Sequence, residues 1–344
     1  MTPGCYTALI TPFDDHGVDE EGLSRLVAFQ MENGIAGIVA VGTTGESPTL
    51  TWDEHNRVTE LIAWQVKGLG ICIAGTGSNN TAETLSATEH SVRAGADAVL
   101  LVDPYYNGPS SLEIRREYIE PVARAFPDTR IIPYVVPGRT GAQVLPEDLA
   151  LASQRFANVD TVKEATGNLE NMRRTRRCCG DAFNILSGDD NLVFQMMTDP
   201  EIRACGVISV YSNIFPGAMS RMVAALDRSD KDEGRKISLA LSPLLERVTV
   251  TSTEETPLGP VTCRARNPLP VKTLMALLGM PSGFCRQPLG RMTAAGLDSL
   301  TTAARKVFTG APELFTPLAE FFGIDVEARL FDGSVMKSLV YPDY

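Results

Sequence analysis

Short apolar runs alternate with amphipathic helical stretches over the first 230 residues of the chain. Each run is rich in β-branched residues and is followed by a turn and then by a stretch with helical periodicity. The eight runs cover residues 6–10, 37–41, 71–74, 98–102, 131–136, 159–163, 183–186 and 207–210. The helical stretches cover 19–33, 51–67, 81–94, 111–126, 146–154, 168–178, 190–198 and 215–228. This alternation predicts parallel strands joined by helical crossovers.

The number of repeating units favours a closed barrel over an open sheet. Eight strand-and-helix units close a (β/α)8 TIM barrel, which typically takes about 250 residues. A doubly wound open sheet would normally carry a glycine-rich nucleotide turn after its first strand, and this chain has TPFDDHG there. We therefore predict an α/β fold with a (β/α)8 catalytic barrel over residues 1–229. A capping box is predicted at Thr51 and Glu54.

The pattern changes after Ser229, where the strand-like runs stop. Residues 231–248 and 269–308 have helical periodicity, and a polar stretch separates them. The sequence predicts a C-terminal helical domain over residues 230–308 with an inserted loop near 248–263. Residues 309–344 form an extension of unknown role, and their aromatic clusters predict that it docks on the body of the protein.

Composition and charge narrow the classes of partner. The chain has 344 residues and a net charge of −11, so phosphate backbones and anionic lipids are poor partners, and we expect neither nucleic acid nor membrane binding. No apolar run approaches the roughly 18 residues that span a bilayer, and no basic segment precedes an apolar one at the N-terminus. The chain has seven cysteines, an odd number with no regular spacing, so we expect them to be reduced thiols. Reduced thiols are typical of cytoplasmic proteins, and we therefore expect a cytoplasmic location. Three histidines make a multi-histidine metal site or a Ser-His-Asp triad improbable, and we expect no metal.

Lys163 is the candidate with the most specific position. Among seven lysines it alone ends a predicted barrel strand, where the active sites of this fold lie. Burial of an amine among apolar neighbours favours the unprotonated form, which attacks a carbonyl to give a Schiff base. The alternatives are a structural lysine paired with Glu164 or another acid, and a phosphate-binding lysine.

Other polar residues follow neighbouring strands and complete a set of candidates. Tyr134 lies on the preceding strand, and a phenol there can transfer protons. Arg139 follows in a loop, where its planar guanidinium suits a carboxylate. Thr43 and Thr44 lie between two glycines and offer N–H groups and hydroxyls to a small carboxylate. Tyr106 is a relay residue or a packing aromatic. A core tyrosine and a surface arginine are the alternatives for Tyr134 and Arg139.

Taken together, the motifs resemble one known family. GTTGE, PYYN, YxVPxRTG, KEATGN, SGDD and GVISV occur in an order and spacing similar to the dihydrodipicolinate synthase family, from about residue 4 to 308. This family lies within the N-acetylneuraminate lyase superfamily of Schiff-base, pyruvate-dependent aldolases. The resemblance implies a barrel with a C-terminal helical domain, assembled as a homo-oligomer, usually a tetramer of two tight dimers. It also implies condensation of pyruvate with L-aspartate 4-semialdehyde in lysine and diaminopimelate biosynthesis, with no cofactor.

The resemblance implies roles for four catalytic residues. Lys163 corresponds to the Schiff-base lysine and Tyr134 to the catalytic tyrosine. Thr43 and Tyr106 correspond to the other members of a proton relay, with Tyr106 reaching into the site of a neighbouring subunit.

Four substrate-binding residues follow from the same resemblance. Arg139 would hold the carboxylate of the aldehyde, and Thr44 would bind pyruvate. Gly188 and Ile208 would line the pyruvate pocket through their backbones.

A second, allosteric set corresponds to positions that bind L-lysine in feedback-inhibited members of the family. Its members are Trp52, His55, Asn79, Glu83 and Tyr105. Trp52 and His55 are three residues apart and Asn79 and Glu83 four, so each pair can face one way. The alternative is that Trp52 packs in an interface and Glu83 is a solvated charge.

The chain also departs from the family pattern. Val135 stands where the family usually has asparagine. Residues 248–263 form an insertion, and residues 309–344 have no recognisable counterpart in the family. These two segments leave open whether the chain forms a dimer or a tetramer. The alternatives to the synthase are another pyruvate-dependent class I aldolase, such as a sialic-acid or keto-sugar-acid lyase, and a non-catalytic barrel. Arg139 disfavours the first, because a polyhydroxylated substrate needs hydroxyl partners more than a second carboxylate clamp.

Overall fold

The computed structural model describes residues 1–331 and 333–344, and eight parallel strands form a closed barrel at its centre. Around the barrel the strands follow the order β1-β8-β7-β6-β5-β4-β3-β2, so β1 pairs with both β8 and β2. This confirms the predicted TIM barrel. The strands are β1 (Gly4–Ala8), β2 (Gly37–Ala40), β3 (Ile71–Gly75), β4 (Ala98–Val102), β5 (Arg130–Val135), β6 (Thr161–Glu164), β7 (Asn184–Ser187) and β8 (Gly206–Ser209).

A helix follows each strand of the barrel, close to the predicted bounds. Most begin at a side chain that accepts a hydrogen bond from the first turn. At Thr51 the predicted capping box is present, with the hydroxyl accepting from the Glu54 N–H and the Glu54 carboxylate accepting from the Thr51 N–H. The helices are α1 (Glu20–Glu32), α2 (Trp52–Val66), α3 (Thr81–Arg93), α4 (Ser111–Glu113, the π-helical Ile114–Ile119 and Glu120–Ala125), α5 (Pro146–Arg155), α6 (Leu169–Cys179), α7 (Val193–Thr198) and α8 (Pro216–Asp227).

The first strand lies two residues before its predicted position. It pairs with the last strand from Gly4 opposite Gly206, and both positions are too crowded by neighbouring atoms for a Cβ. After Ala8 the backbone leaves the ladder, and the Ile10 N–H donates to the Asn213 side chain at 3.0 Å. Residues 9 and 10 are therefore apolar because they are buried above the strand.

Two apolar layers surround the strands, as expected for this architecture. One lies inside the barrel and the other between strands and helices. The interior layer includes two tyrosines at opposite ends: the Tyr6 hydroxyl donates to the Thr2 carbonyl before β1, at 2.6 Å, whereas Tyr134 lies near the carboxyl end of β5. Its fully enclosed members are Tyr6, Ala8, Val39, Ile73, Ala98, Leu100, Ile132, Tyr134, Val136, Leu186 and Ile208.

The C-terminal region contains a β-hairpin where a loop was predicted. Helices α9 (Lys231–Leu245), α10 (Leu269–Leu278) and α11 (Ala294–Gly310) lie in the stretches predicted to be helical, although residues 279–293 interrupt the second stretch, because Gly279 ends α10 in the left-handed conformation. Between α9 and α10, however, strands β9 (Thr249–Thr256) and β10 (Gly259–Arg266) pair antiparallel over their whole length. The prediction of a loop was wrong, because alternating β-branched residues favour a strand even in a polar segment.

The extension after α11 docks on the barrel through aromatic side chains. Phe315 packs edge-on against Phe215 of the barrel region, with ring centroids 5.0 Å apart. Phe321 and Phe322 lie 5.3 and 5.1 Å from Phe29 of α1. These contacts fit the expectation drawn from the aromatic clusters. In the described part of the chain, no helix has the length and apolarity needed to cross a membrane.

Candidate active site

A cavity of about 210 Å³ opens at the carboxyl ends of the barrel strands. Three residues predicted from the sequence, Thr43, Tyr134 and Arg139, line it together. The remaining wall comes from the ends of β2, β3 and β4 and from the segments that follow β2 to β5: Val41, Gly42, Ser47, Pro48, Gly75, Gly77, Leu100, Val102, Tyr105, Val136 and Thr140. The structure thus places side chains from different strands around one small space, as the barrel rule requires.

Lys163 is not among the residues that line this space, but it lies on the neighbouring strand β6, next to Tyr134, which does line it. The two residues are register partners in β5 and β6, and the Lys163 Nζ lies 4.1 Å from the centre of the Tyr134 ring. Both residues are only 5% exposed. An amine held against an aromatic ring at the end of a strand is well placed to meet a small carbonyl compound entering from above.

The turn after β7 approaches the lysine very closely. A Cβ on Gly188 would lie 3.1 Å from the Lys163 Cε and 2.7 Å from the Ala165 Cβ, so only glycine fits there without displacement. Ile208 of β8 is fully buried in the interior layer together with Tyr134. Gly188 therefore packs against Lys163, and Ile208 shares the interior layer with Tyr134.

The loop after β2 brings Thr43 and Thr44 to the mouth of the barrel. The Thr44 Oγ1 accepts a hydrogen bond from the Asn267 side chain at 3.0 Å. A Cβ added to Gly45 would lie 3.1 Å from the Leu9 carbonyl oxygen and from the Val41 Cα, so the loop packs closely on both backbones. Thr43 lines the cavity, whereas the Thr44 hydroxyl is bound by a residue of the C-terminal region.

Arg139 belongs to a short helix, Pro137–Thr140, that follows β5. Its Nη2 donates to the backbone carbonyl of Asn267 at 3.2 Å, and burial lowers the pKa of the guanidinium. Arg266, a like charge nearby, acts in the same direction. The remaining guanidinium N–H groups can meet a carboxylate in the cavity.

Desolvated carboxylates occur at the ends of β6 and β7. Burial raises the pKa of Asp189 to about 6, and the positive charges of Lys163 and Arg139 oppose the rise. Burial also raises the pKa of Glu164 to about 7, although its carboxylate accepts hydrogen bonds from the Thr166 N–H at 2.8 Å and from Asn171 at 3.0 Å. Strong desolvation of this kind is typical of a catalytic cleft.

The two tyrosines of the PYYN motif point in different directions. Tyr105 lines the cavity, while Tyr106 is 86% exposed and lies outside it. A single chain therefore does not bring Tyr106 to its own Lys163. The predicted role in a neighbouring subunit stays a prediction.

Three of the five predicted allosteric residues form one connected group beside the cavity. The Asn79 Oδ1 accepts a hydrogen bond from the Tyr105 N–H at 2.7 Å. Burial raises the pKa of Tyr105, and the negative charge of Glu83 adds to the rise. The Glu83 carboxylate also accepts from the Ser78 hydroxyl at 2.5 Å. These contacts link the predicted lysine-binding positions to the cavity wall.

Trp52 and His55 form the other part of the set, and their rings meet at 5.1 Å as the spacing predicts. Trp52 is partly exposed, but His55 is buried and donates from Nε2 to the Gly75 carbonyl at 2.9 Å. Burial lowers the pKa of His55 to about 4. Within the described residues its Nδ1 has no hydrogen-bond partner.

Three residues at the site escaped the sequence analysis: Asn267, Glu46 and Lys272. Asn267 joins the Thr44 hydroxyl to Arg139, and Lys272 forms a buried ion pair with Glu46 at 2.6 Å. The sequence did contain one indication of this ion pair. Lys272 is the single charged residue of the largely apolar helix LPVKTLMALL, and a charge on a helix that is buried on all sides requires a partner.

A family model and individual relatives of known name place this chain in the same family. The model of the "Dihydrodipicolinate synthetase family" matches residues 1–307. A 4-hydroxy-tetrahydrodipicolinate synthase from Pelobacter propionicus is 41% identical over 303 residues, covering 87% of this chain and 97% of the relative.

Solved structures agree with that match. The 4-hydroxy-tetrahydrodipicolinate synthase of the methanotroph Methylacidiphilum fumariolicum SolV superposes with a TM-score of 0.83 at 33% identity, covering 92% of this chain and 99% of that one. The enzyme of Cyanidioschyzon merolae, solved with lysine bound, gives a TM-score of 0.79 at 34% identity, covering 88% and 97%. This chain therefore belongs to the dihydrodipicolinate synthetase family.

Proposed function

We propose that this chain is a 4-hydroxy-tetrahydrodipicolinate synthase, which condenses pyruvate with L-aspartate 4-semialdehyde. The observation that carries the proposal is the position of Lys163, buried at the end of β6 against the ring of Tyr134, which lines a cavity together with Thr43 and Arg139. Relatives that bear this name are about 40% identical over most of the chain. Position, neighbours and family thus lead to the same chemistry.

The reaction begins with a Schiff base on Lys163. The neutral amine attacks the ketone carbon of pyruvate, water leaves, and the imine draws electrons from the neighbouring methyl group. Loss of a methyl proton gives an enamine, whose carbon adds to the aldehyde of the second substrate. The aldehyde oxygen takes up a proton, and attack of the substrate's amino group on the imine carbon closes the ring and releases Lys163. The imine itself is the electron sink, so the lysine supplies the chemistry.

Tyr134 is the proton donor and acceptor that these steps require. Its ring is fixed against Lys163, and it lines the cavity together with Thr43. We assign Thr43 and the Tyr106 of a neighbouring subunit to hold the phenol and connect it to solvent. A positioned phenol of this kind contributes general acid and base catalysis.

The two substrate carboxylates would be bound on opposite sides of the cavity. Thr44, Gly188 and Ile208 are assigned to the pyruvate side, and the approach of Gly188 to the Lys163 Cε supports this assignment. Arg139, which lines the cavity beside Thr140, is assigned to the carboxylate of the aldehyde. This arrangement accounts for a substrate pair in which each member carries a carboxylate.

We further propose that the active species is a homo-oligomer, a dimer or a tetramer. Tyr106 is 86% exposed in the single chain, which is unusual for a tyrosine of a catalytic relay. A second copy packed on this surface would cover the ring and bring the hydroxyl to the neighbouring site. The exposed ring therefore supports a shared active site.

L-Lysine is the proposed feedback inhibitor, bound by Trp52, His55, Asn79, Glu83 and Tyr105. Glu83 can pair with the ammonium of an amino acid, and the partly exposed Trp52 ring offers an apolar wall to its alkyl chain. The Asn79 contact with Tyr105, which lines the cavity, is the physical link from this set to the chemistry. The relative from Cyanidioschyzon merolae was solved with lysine bound.

Reduction with borohydride in the presence of pyruvate tests the proposal most directly. We expect one pyruvate-derived adduct per chain, on Lys163, located by peptide mass spectrometry, and none in Lys163→Ala. Lys272 is the internal control, because it is also buried but is engaged in an ion pair. A panel of aldehydes should then show turnover with L-aspartate 4-semialdehyde rather than with sugar-derived aldehydes. An adduct on Lys272, or no adduct at all, contradicts the assignment.

A further inference from the structure

We propose that the buried ion pair between Lys272 and Glu46 is a positioning device for the carboxylate loop, defined here as residues 42–46. The inference rests on the proposed function, because the loop carries Thr43 and Thr44. Glu46 lies at its end, and Lys272 lies 226 residues away on α10. Neither residue lines the cavity, so each would act through the loop.

Every proton of the Lys272 ammonium has an acceptor. Its Nζ lies 2.6 Å from the Glu46 Oε1, 2.9 Å from the Thr11 carbonyl and 3.3 Å from the Phe284 carbonyl. The Phe13 ring centre lies 4.3 Å away, on the remaining side. The ammonium is therefore held in a closed cage, with no free donor for a substrate.

Glu46 is held as firmly as its partner. Its second oxygen accepts a hydrogen bond from the Arg286 N–H at 2.8 Å, and the residue is 1% exposed. Its backbone has a φ of 58°, in the left-handed region that non-glycine residues rarely adopt. Such a conformation persists where surrounding contacts determine it, and here the side chain is fixed from two sides.

The loop leads directly from this anchor to Thr43 and Thr44. The Glu46 N–H donates to the Thr43 carbonyl at 3.2 Å, which closes a turn between anchor and relay residue. Thr11, which accepts from Lys272 through its carbonyl, donates its hydroxyl to the Gly45 carbonyl at 2.7 Å. Asn267, just before α10, donates to the Thr44 hydroxyl. One C-terminal element thus holds the loop at two points.

Stability alone gives a weak reason for such a pair. Removing two charges from water costs as much as their attraction returns, so a buried ion pair contributes little net stability compared with apolar residues. What the pair does provide is a single arrangement, because each buried charge lacks compensation for its desolvation unless the two groups meet. We infer that this arrangement sets the positions of Thr43 and Thr44.

A double-mutant cycle tests the inference in the full-length protein. Glu46→Gln, Lys272→Met and the double variant each break the same contact, so each should raise the KM for pyruvate and slow borohydride trapping by a similar factor, about tenfold to a hundredfold. The KM for the aldehyde should change much less, since Arg139 lies outside the loop. Glu46→Gln keeps a hydrogen-bond acceptor for the Arg286 N–H, so it provides the answer if Lys272→Met fails to fold.

The ion pair of Glu54 with Arg286 is the matched control. It joins the same two regions at 2.6 Å but does not include the loop, and Glu54→Gln, which leaves the Arg286 N–H on Glu46, should leave the pyruvate KM unchanged. Wild-type pyruvate KM and trapping in folded Glu46→Gln would overturn the inference, as would additive effects in the cycle. Failure of the wild-type protein to trap pyruvate would instead overturn the proposed function.

Discussion

The Nζ of Lys163 lies over the face of the Tyr134 ring, 4.1 Å from its centre, because the two residues are register partners in adjacent strands. The contact joins the proposed nucleophile to the ring of the proposed proton donor rather than to its hydroxyl. Packing and proton transfer can therefore be separated by one substitution.

Tyr134→Phe keeps the ring and removes the hydroxyl. The position of Lys163 and the thermal midpoint of unfolding should remain close to wild type, while kcat falls by roughly 10²–10⁴, the usual worth of a positioned acid or base. Steady-state kinetics and thermal unfolding on the same preparation measure both. A kcat within a factor of about two of wild type would assign Tyr134 to packing alone.

Arg139→Ala should separate the two substrates. The guanidinium is assigned to the aldehyde's carboxylate, so we expect a large rise in the KM for the semialdehyde and nearly normal borohydride trapping of pyruvate. Arg266→Ala is the matched control, because Arg266 is a neighbouring cation that donates to the Gly138 carbonyl at 3.0 Å. If pyruvate trapping failed in Arg139→Ala, the residue would belong to the pyruvate site.

The barrel and the position of Lys163 at the end of a strand could be predicted because both depend on local pattern. Each strand-and-helix unit shows its own periodicity, and β4 and the capping box at Thr51 lie where the sequence places them. Lys163 is identified by its place at the end of a strand, which is again a local property.

The features that could not be predicted from the sequence depend on contacts between residues far apart in the chain. The start of β1 is set by the pairing of Gly4 with Gly206, and a run of apolar letters cannot reveal that partner. Glu46 and Lys272 meet across 226 residues, so neither motif indicates the other. The hairpin β9–β10 was a different error, since its alternating threonines and valines were present in the sequence.

A mixture of two inactive variants should test the shared active site. Lys163→Ala chains retain Tyr106, and Tyr106→Phe chains retain Lys163. If Tyr106 serves a neighbouring subunit, a hybrid dimer holds one complete site, so mixing and reassembly should restore part of the activity. Turnover by the mixture, compared with each variant alone, measures this, and full activity from a monomer shown by sedimentation would refute the cross-subunit role.

The buried carboxyl group of Asp103 should make the free energy of unfolding decrease as the pH rises. Burial raises its pKa from 3.8 to about 8, and its Oδ2 accepts from the Val144 N–H at 3.1 Å. Between these pH values the unfolded chain is ionised while the folded chain keeps its proton, so rising pH favours unfolding. Asp103→Asn removes this term, and its thermal midpoint should exceed that of wild type more at about pH 8 than at about pH 4.5. The exposed Asp128→Asn is the control, and a difference that does not grow with pH would contradict the prediction.

L-Lysine should inhibit the enzyme at millimolar or lower concentration. Glu83 is placed to pair with the ligand's ammonium, and Asn79 links the site to Tyr105 in the cavity wall. Glu83→Ala should therefore raise the half-inhibitory concentration by about tenfold or more, each variant being compared with its own uninhibited rate. Glu89→Ala, an exposed carboxylate on the same helix that pairs with Arg93, is the control and should be inhibited like wild type. A flat activity curve up to tens of millimolar lysine, with no heat of binding in calorimetry, would refute the allosteric site and leave the synthase proposal standing.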